Sequence, residues 1–183
     1  MSEHVSKNTA LLVIDMQQAL LTGAYRETEV VDVVNALSHR VRAAGAPVFF
    51  IQHNHSSFAP MMQGAAGWQI HASMDQQPTD QLLEKAASDS FYRTDLEERL
   101  RALSVRELIV TGLQTEFCVD ATCRAALSRD FDVVLVADGH TTGNSHLPAQ
   151  AIIEHHNNTL ANIAHPSARL RVLRADEISV EKC

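Results

Sequence analysis

The sequence predicts a doubly wound, Rossmann-like α/β domain, and three observations predict it. Continuous apolar runs of strand length recur along the chain, as expected of strands buried on both faces. Between several of them lie stretches with apolar residues at three- and four-residue spacing, the mark of amphipathic helices. Strands that alternate with helices close into a parallel sheet through right-handed crossovers. We therefore expect about six parallel strands in the order 3-2-1-4-5-6, helices on both faces, and one domain over residues 1–183.

Each element has its own justification. "TALLVID" (9–15) is the first strand. Val30, Val33, Val34, Leu37 and Val41 share one helical face, and Gly45 and Pro47 stop that helix. "PVFFIQH" (47–53) is the second strand. A polar stretch from His53 to Thr79 follows, with Pro60, Gly64 and Gly67; a connection that long in a compact domain is usually functional. "QLLEK" (81–85) is a short third strand. Thr94 and Glu97 have the spacing of a capping box opening the helix "DLEERLRAL". "ELIVTG" (107–112) is the fourth strand, and the helix after it carries Cys118. "DVVLVAD" (132–138) is the fifth, "PAQAIIEHHNNTLANI" (148–163) a helix with proline at its start, and "RLRVL" (169–173) the sixth strand. On that last helix His156 is read as core-facing and His155 as exposed.

Composition narrows the function. With 45% apolar and 20% charged residues the chain has the make-up of a soluble globular domain. A net charge of −7 and the lack of a basic stripe argue against nucleic acid as a partner. The apolar runs are well short of a membrane span, and "MSEHVSKNTA" has no apolar signal core. A cytoplasmic location is the expectation. Three cysteines in such a chain read as free thiols in a reducing compartment. Cys118 and Cys123, five apart on a helix, point to different sides, and Cys183 reads as an exposed, mobile thiol without a role.

In doubly wound folds ligands sit beyond the carboxyl ends of the strands, so the residues that end the strands matter most. Asp15 ends the first strand, an expensive place for a carboxylate unless it is paired or working. His53 ends the second and Lys85 the third; the fourth runs into Cys118 in "GLQTEFCVDAT"; Asp138 ends the fifth and His140 follows it. Singly, each has an ordinary reading: a loop cap, a surface lysine, a buried cysteine. Together Asp15, Lys85 and Cys118 supply a proton acceptor, a cation and a nucleophile. A cysteine in the first turn of a helix is also expected to have a depressed pKa, below about 8.5, and to lie near backbone N–H groups that can hold an oxyanion.

"LLVIDMQ", "EKAASDSFYRTDLEERL" and "VTGLQTEFCVDATCRAAL" resemble, in order, the signature blocks of the isochorismatase-like cysteine hydrolases. The likeness continues through "GWQIH", "DVVLVADGHTT" and "AIIEHHNNTL", and so covers nearly the whole chain. The resemblance implies a six-stranded parallel sheet, an Asp15–Lys85–Cys118 triad, a cis peptide at Leu113–Gln114, and an oxyanion hole made by the backbone N–H groups of Gln114 and Cys118. It implies a small-molecule substrate and a homo-oligomer, a dimer or larger.

The leading expectation is hydrolysis of a small-molecule amide through a thioester. The alternatives are vinyl-ether hydrolysis of the isochorismatase type, which needs an acid and not a thiol, and a catalytically silent oligomeric binding protein. Phe58, Trp68, Phe91, Glu116 and His140 are candidates for the substrate pocket, with Tyr25 a weaker one. No cofactor is expected. The alternative is a divalent metal such as zinc, as in the related nicotinamidases, held by His53, His55 and His71. Where that branch has an aspartate this chain has His53, and "GWQIH" resembles the metal-free branches.

Overall fold

The apolar runs pair as their composition demands. In the computed structural model, which describes residues 3–5 and 8–180, eight strands and five helices form. Strands β2 (Thr9–Ile14), β3 (Val48–His53), β4 (Gln81–Lys85), β5 (Glu107–Leu113), β6 (Asp132–Thr141) and β7 (Leu170–Leu173) make one parallel sheet. Its order is β4-β3-β2-β5-β6-β7, the expected 3-2-1-4-5-6. β2 and β5 are buried at every residue because they are central and covered on both faces. Alternate side chains go to opposite layers. Leu12 and Ile14 pack with Leu96, Leu100 and Phe131 on one face, while Leu11 and Val13 pack with Val34, Leu37 and Val41 on the other.

The helices are α1 (Gln18–Leu21), α2 (Glu27–Ala43), α3 (Leu96–Ala102), α4 (Asp120–Leu127) and α5 (Ala149–Ala161). None among the described residues is long and apolar enough to cross a membrane. On α5, His155 is exposed and His156 half-buried, its Nδ1 donating to the Ile152 carbonyl at 2.8 Å.

Two expectations need correction, and two stretches gain structure that the sequence did not declare. The Thr94–Glu97 capping box does not form: α3 starts at Leu96 behind Asp95, Thr94 Oγ1 donates to the Ser90 carbonyl at 2.7 Å, and Glu97 pairs with Arg101 and Arg129. Cys118 lies in a π-helical turn, Thr115–Val119, that precedes α4. The stretch between β3 and β4 contains two 3₁₀ turns, Ala59–Met61 and Ala66–Trp68. The polar tail after Arg174 forms β8 (Ile178–Val180), which pairs in parallel with β1 (Glu3–Val5), and Arg40 donates to the carbonyls of Ala175 and Ile178. Cys183 lies outside the described residues.

Candidate active site

The chain turns outward from β2 at one side and from β5 at the other, and the crevice between them opens at the carboxyl end of the sheet. Asp15 stands there with φ 51°, a left-handed conformation that a side chain other than glycine rarely takes. Its N–H is held by the Ile51 carbonyl at 2.8 Å. Opposite it, Gly112 has φ 116°, and a Cβ at that position would lie 2.0 Å from the Ile14 carbonyl oxygen. Only glycine lets β5 run this close to the end of β2. The cis peptide at Leu113–Gln114 follows, as expected, and then the turn that brings Cys118 back over β2. Lys85 comes from β4, two strands away, and sits beside His53 in the β3–β4 register.

These placements gather the charged groups. Lys85 Nζ donates to Asp15 Oδ2 at 2.8 Å and to the Ala87 carbonyl at 3.0 Å, and lies 3.3 Å from His53 Nδ1. Both members of the ion pair are buried, and Asp15 Oδ1 has no hydrogen-bond partner among the described residues. Ligating atoms of Asp15, His53 and Cys118 fall within 4.8 Å of one another. Burial works to lower the Lys85 pKa, but the charge of Asp15, then that of Cys118, outweighs it and raises the pKa. Burial and the neighbouring Asp15 charge push the Cys118 thiol up to about 12. The expected depressed pKa is therefore corrected: desolvation and a carboxylate beside the sulfur prevail over Lys85. The turn does not present a full set of free donors either, since the N–H groups of Phe117 and Val119 both go to the Gln114 carbonyl.

Asp15, His53 and Cys118 line a cavity of about 230 Å³. Leu20, Phe58, Met61 and Phe117 form its apolar walls, and His55, Ser88 and Gln114 add polar atoms. Phe58 and Phe117 are each about half exposed, at 48% and 54%, which puts both at its rim.

An isochorismatase domain model matches residues 9–167. The chain belongs to the isochorismatase family. A solved structure described as an isochorismatase family protein has a TM-score of 0.80 and 33% identity, over 91% of this chain and 99% of that one. Nicotinamidase 3 of Arabidopsis thaliana is 32% identical over 179 residues, 90% of this chain and 85% of that protein. A streptothricin hydrolase of Streptomyces noursei is 38% identical over 136 residues, 73% of this chain and 49% of the relative. The chain thus spans about half the length of the streptothricin hydrolases it matches.

Within this isochorismatase fold the predicted pocket residues part company. Phe58 lines the cavity. Trp68 does not: its indole N–H donates to Asn54 Oδ1 at 2.5 Å and its carbonyl accepts from Gln17 and Gln52. Phe91 is buried in the core, its ring stacked on Phe131. Glu116 accepts from the Thr142 hydroxyl at 3.0 Å. His140 is buried between Thr115 and Asn157 and backs a separate cavity of about 200 Å³, which Tyr25 also lines. Sequence reasoning missed Leu20, Met61, Ser88 and Phe117, and weighed His53 and His55 only as metal ligands. It also missed Gln17, which is fully buried; its amide bonds the His53 backbone on both sides and the Trp68 carbonyl, tying the ends of β2 and β3 to the loop. A polar residue two positions after the Asp15 strand end was the available signal for it.

The three histidines of the alternative metal set do not converge. His71 lies in another cleft, Nε2 3.5 Å from Glu27 Oε1. A histidine that binds a metal through one nitrogen almost always donates from the other. Here the opposite holds. The Nδ1 atoms of His55 and His71 accept backbone N–H groups, and that of His53 faces the Lys85 ammonium, which has only donors. A metal among Asp15, His53 and Cys118 would lie against the Lys85 ammonium, which already binds Asp15 and faces His53 Nδ1. The donor set does not fit zinc.

Proposed function

We propose that this protein hydrolyses a small-molecule amide through a Cys118 thioester, with Asp15 and Lys85 completing a triad and no metal. One observation carries the reading: a buried Asp15–Lys85 ion pair meets the Cys118 sulfur at the floor of a cavity. Burying two charges is costly, and a pair that opens onto a cavity beside a thiol has a use that offsets the cost. The thiol, held protonated at rest, gives its proton to Asp15 as sulfur attacks the amide carbon. Lys85 stays charged and holds the carboxylate in line. The backbone N–H groups of Gln114 and Cys118 are the donors assigned to the oxyanion. The C–N bond breaks, the proton on Asp15 leaves with the amine, and the acyl group stays on sulfur. Water then attacks the thioester while Asp15 takes its proton and returns one to the thiolate, releasing a carboxylic acid.

Relatives with amide-hydrolase names agree with this class of reaction: streptothricin hydrolase, nicotinamidase and ureidoacrylate amidohydrolase. The thiol against Asp15 favours it over vinyl-ether chemistry, which needs no nucleophilic sulfur. The family resemblance and the free thiols further suggest a cytoplasmic homo-oligomer, which sizing with light scattering tests. For the reaction, a panel of small amides is screened for release of ammonia or amine, with and without EDTA. Turnover insensitive to EDTA and lost by about 10⁴-fold or more in Cys118→Ala is expected, with an acyl adduct on Cys118 by mass spectrometry. Full activity in Cys118→Ala sinks the proposal.

A further inference from the structure

The turn that carries Cys118 is held from behind by the end of β6 and the residue after it. Its first two side chains both bond there. Thr115 Oγ1 lies 2.8 Å from His140 Nδ1, and Glu116 accepts from the Thr142 hydroxyl at 3.0 Å. A bulge aims the histidine. Val110 of β5 faces Leu135 and Gly112 faces His140, so β6 carries extra residues between the two pairings. Such bulges re-aim a side chain and gather beside active sites. Gly139 fits the bend, since a Cβ there would lie 2.8 Å from Val136 Cγ1. On its far side the ring meets α5, where Asn157 Oδ1 is 2.9 Å from Nε2.

One bond fixes the roles of the others. Asn157 donates through Nδ2 to the Ala137 carbonyl at 3.2 Å, which leaves its Oδ1 facing the ring as an acceptor. His140 Nε2 therefore carries the proton, Nδ1 has only a lone pair, and the Thr115 hydroxyl donates to it. Burial pushes the His140 pKa down to about 4, so the ring stays this neutral acceptor at neutral pH. Thr115 and His140 are both buried, so breaking their bond strands Nδ1 away from water. Within the turn itself the N–H groups of Phe117 and Val119 share one acceptor, the Gln114 carbonyl, so its orientation rests on side chains as well as on backbone.

We propose that His140 is a positioning residue for the nucleophile: tied to α5 through Asn157 and bonded to Thr115, it fixes the turn that sets Cys118 against Asp15. This rests on the amide-hydrolase reading. His140 does not line the Cys118 cavity, and it acts through Thr115. A reacting group misplaced by about 1 Å can lose about 10²-fold in rate.

Two pairs of variants separate a brace from a space filler. His140→Asn keeps an acceptor near the Nδ1 position for Thr115 and loses the bond to Asn157. His140→Gln keeps a donor near Nε2 for Asn157 and loses the bond to Thr115. Thr115→Ser keeps the hydroxyl and loses a buried methyl, whereas Thr115→Val keeps the bulk and loses the hydroxyl. Kinetics are measured on the amide that the parent turns over fastest. In His140→Gln and Thr115→Val kcat is expected to fall by about tenfold or more with KM within about twofold. His140→Asn and Thr115→Ser keep most of kcat, although both melt below the parent. The double variant His140→Gln/Thr115→Val loses no more than either alone. Equal kcat within each pair, whether high or low, overturns the proposal. Iodoacetamide labelling of Cys118, read by peptide mass mapping, needs no substrate. Its rate is expected to change several-fold in His140→Gln and Thr115→Val and to match the parent in the other two. Where the parent turns amide over, kcat decides; where it does not, labelling decides. A parent without turnover whose variants split in labelling sinks the hydrolase and keeps the brace. Turnover without a split in kcat sinks the brace and keeps the hydrolase, and no turnover with uniform labelling sinks both.

Discussion

His53 closes β3 and His140 stands near the end of β6, and burial keeps both rings towards the neutral form. The two halves of the sheet edge then treat them differently. Near the end of β6, both nitrogens of His140 are taken: Nε2 donates to Asn157 Oδ1 at 2.9 Å, and Nδ1 accepts from the Thr115 hydroxyl at 2.8 Å. Asn157 in turn donates to the Ala137 carbonyl, which closes the network. Such a network specifies packing and offers nothing to a ligand. At the end of β3, one nitrogen of His53 meets Lys85 and the residue lines a cavity. Asp15 Oδ1, a few ångströms away, has no partner among the described residues. Burial of a polar group therefore does not separate the working half from the structural half. What separates them is whether the hydrogen-bonding capacity is spent inside the protein.

The sharpest way to break that contrast is to cut the buried ion pair. Lys85→Met leaves the Asp15 carboxylate buried and unpaired, and a broken buried pair costs about 3–5 kcal/mol. For a domain of this length that lowers Tm by roughly 10 °C, and activity falls with it. The double variant Asp15→Asn/Lys85→Met removes both charges and recovers most of the lost stability without recovering turnover. Calorimetric melts of the three proteins decide it; a single variant as stable as the parent means the pair is not buried in solution.

Much of this was legible because it is local. Continuous apolar runs name the sheet strands, and a strand ending in Asp15, Lys85 or the Cys118 turn places those residues at one edge whatever the loops do. Pocket walls are another matter, because they depend on the paths of the connections before and after β4. Trp68 is drawn away by Asn54, and Phe91 finds Phe131. Neither partner is near in sequence in a way that periodicity reports. The thiol pKa failed for the same reason. A helix start is visible in a sequence, but the depth of burial and the carboxylate that raises the Cys118 pKa belong to the assembled fold. Thr94 and Glu97 show the limit of motif spacing: better partners in Ser90, Arg101 and Arg129 break the capping box.

The closed half is probed with acid. Burial lowers the His140 pKa from 6.5 to about 4. Between those values the unfolded chain binds a proton that the folded one refuses, so unfolding is favoured as pH falls. Stability from this group is complete above pH 6.5 and lost progressively towards pH 4, by about 3 kcal/mol. Urea midpoints measured from pH 7.5 to 4.5 should fall more steeply for the parent than for His140→Asn, which starts lower and lacks this proton. Parallel curves would mean that His140 titrates normally and the network is open to water.

The smallest effect belongs to the rim of the open half. Phe58 is about half exposed, so Phe58→Ala should change stability by less than about 1 kcal/mol. Its backbone N–H, not its ring, braces His55, and alanine keeps that bond. On the proposed amide-hydrolase reading the ring would touch bound substrate and the transition state alike, and an interaction common to both raises KM on removal with little change in kcat. A several-fold rise in KM is expected. A fall in kcat instead would show that the ring also holds His55, against which it packs edge-on at 6.0 Å, and so shapes the reacting geometry and not only the fit of substrate.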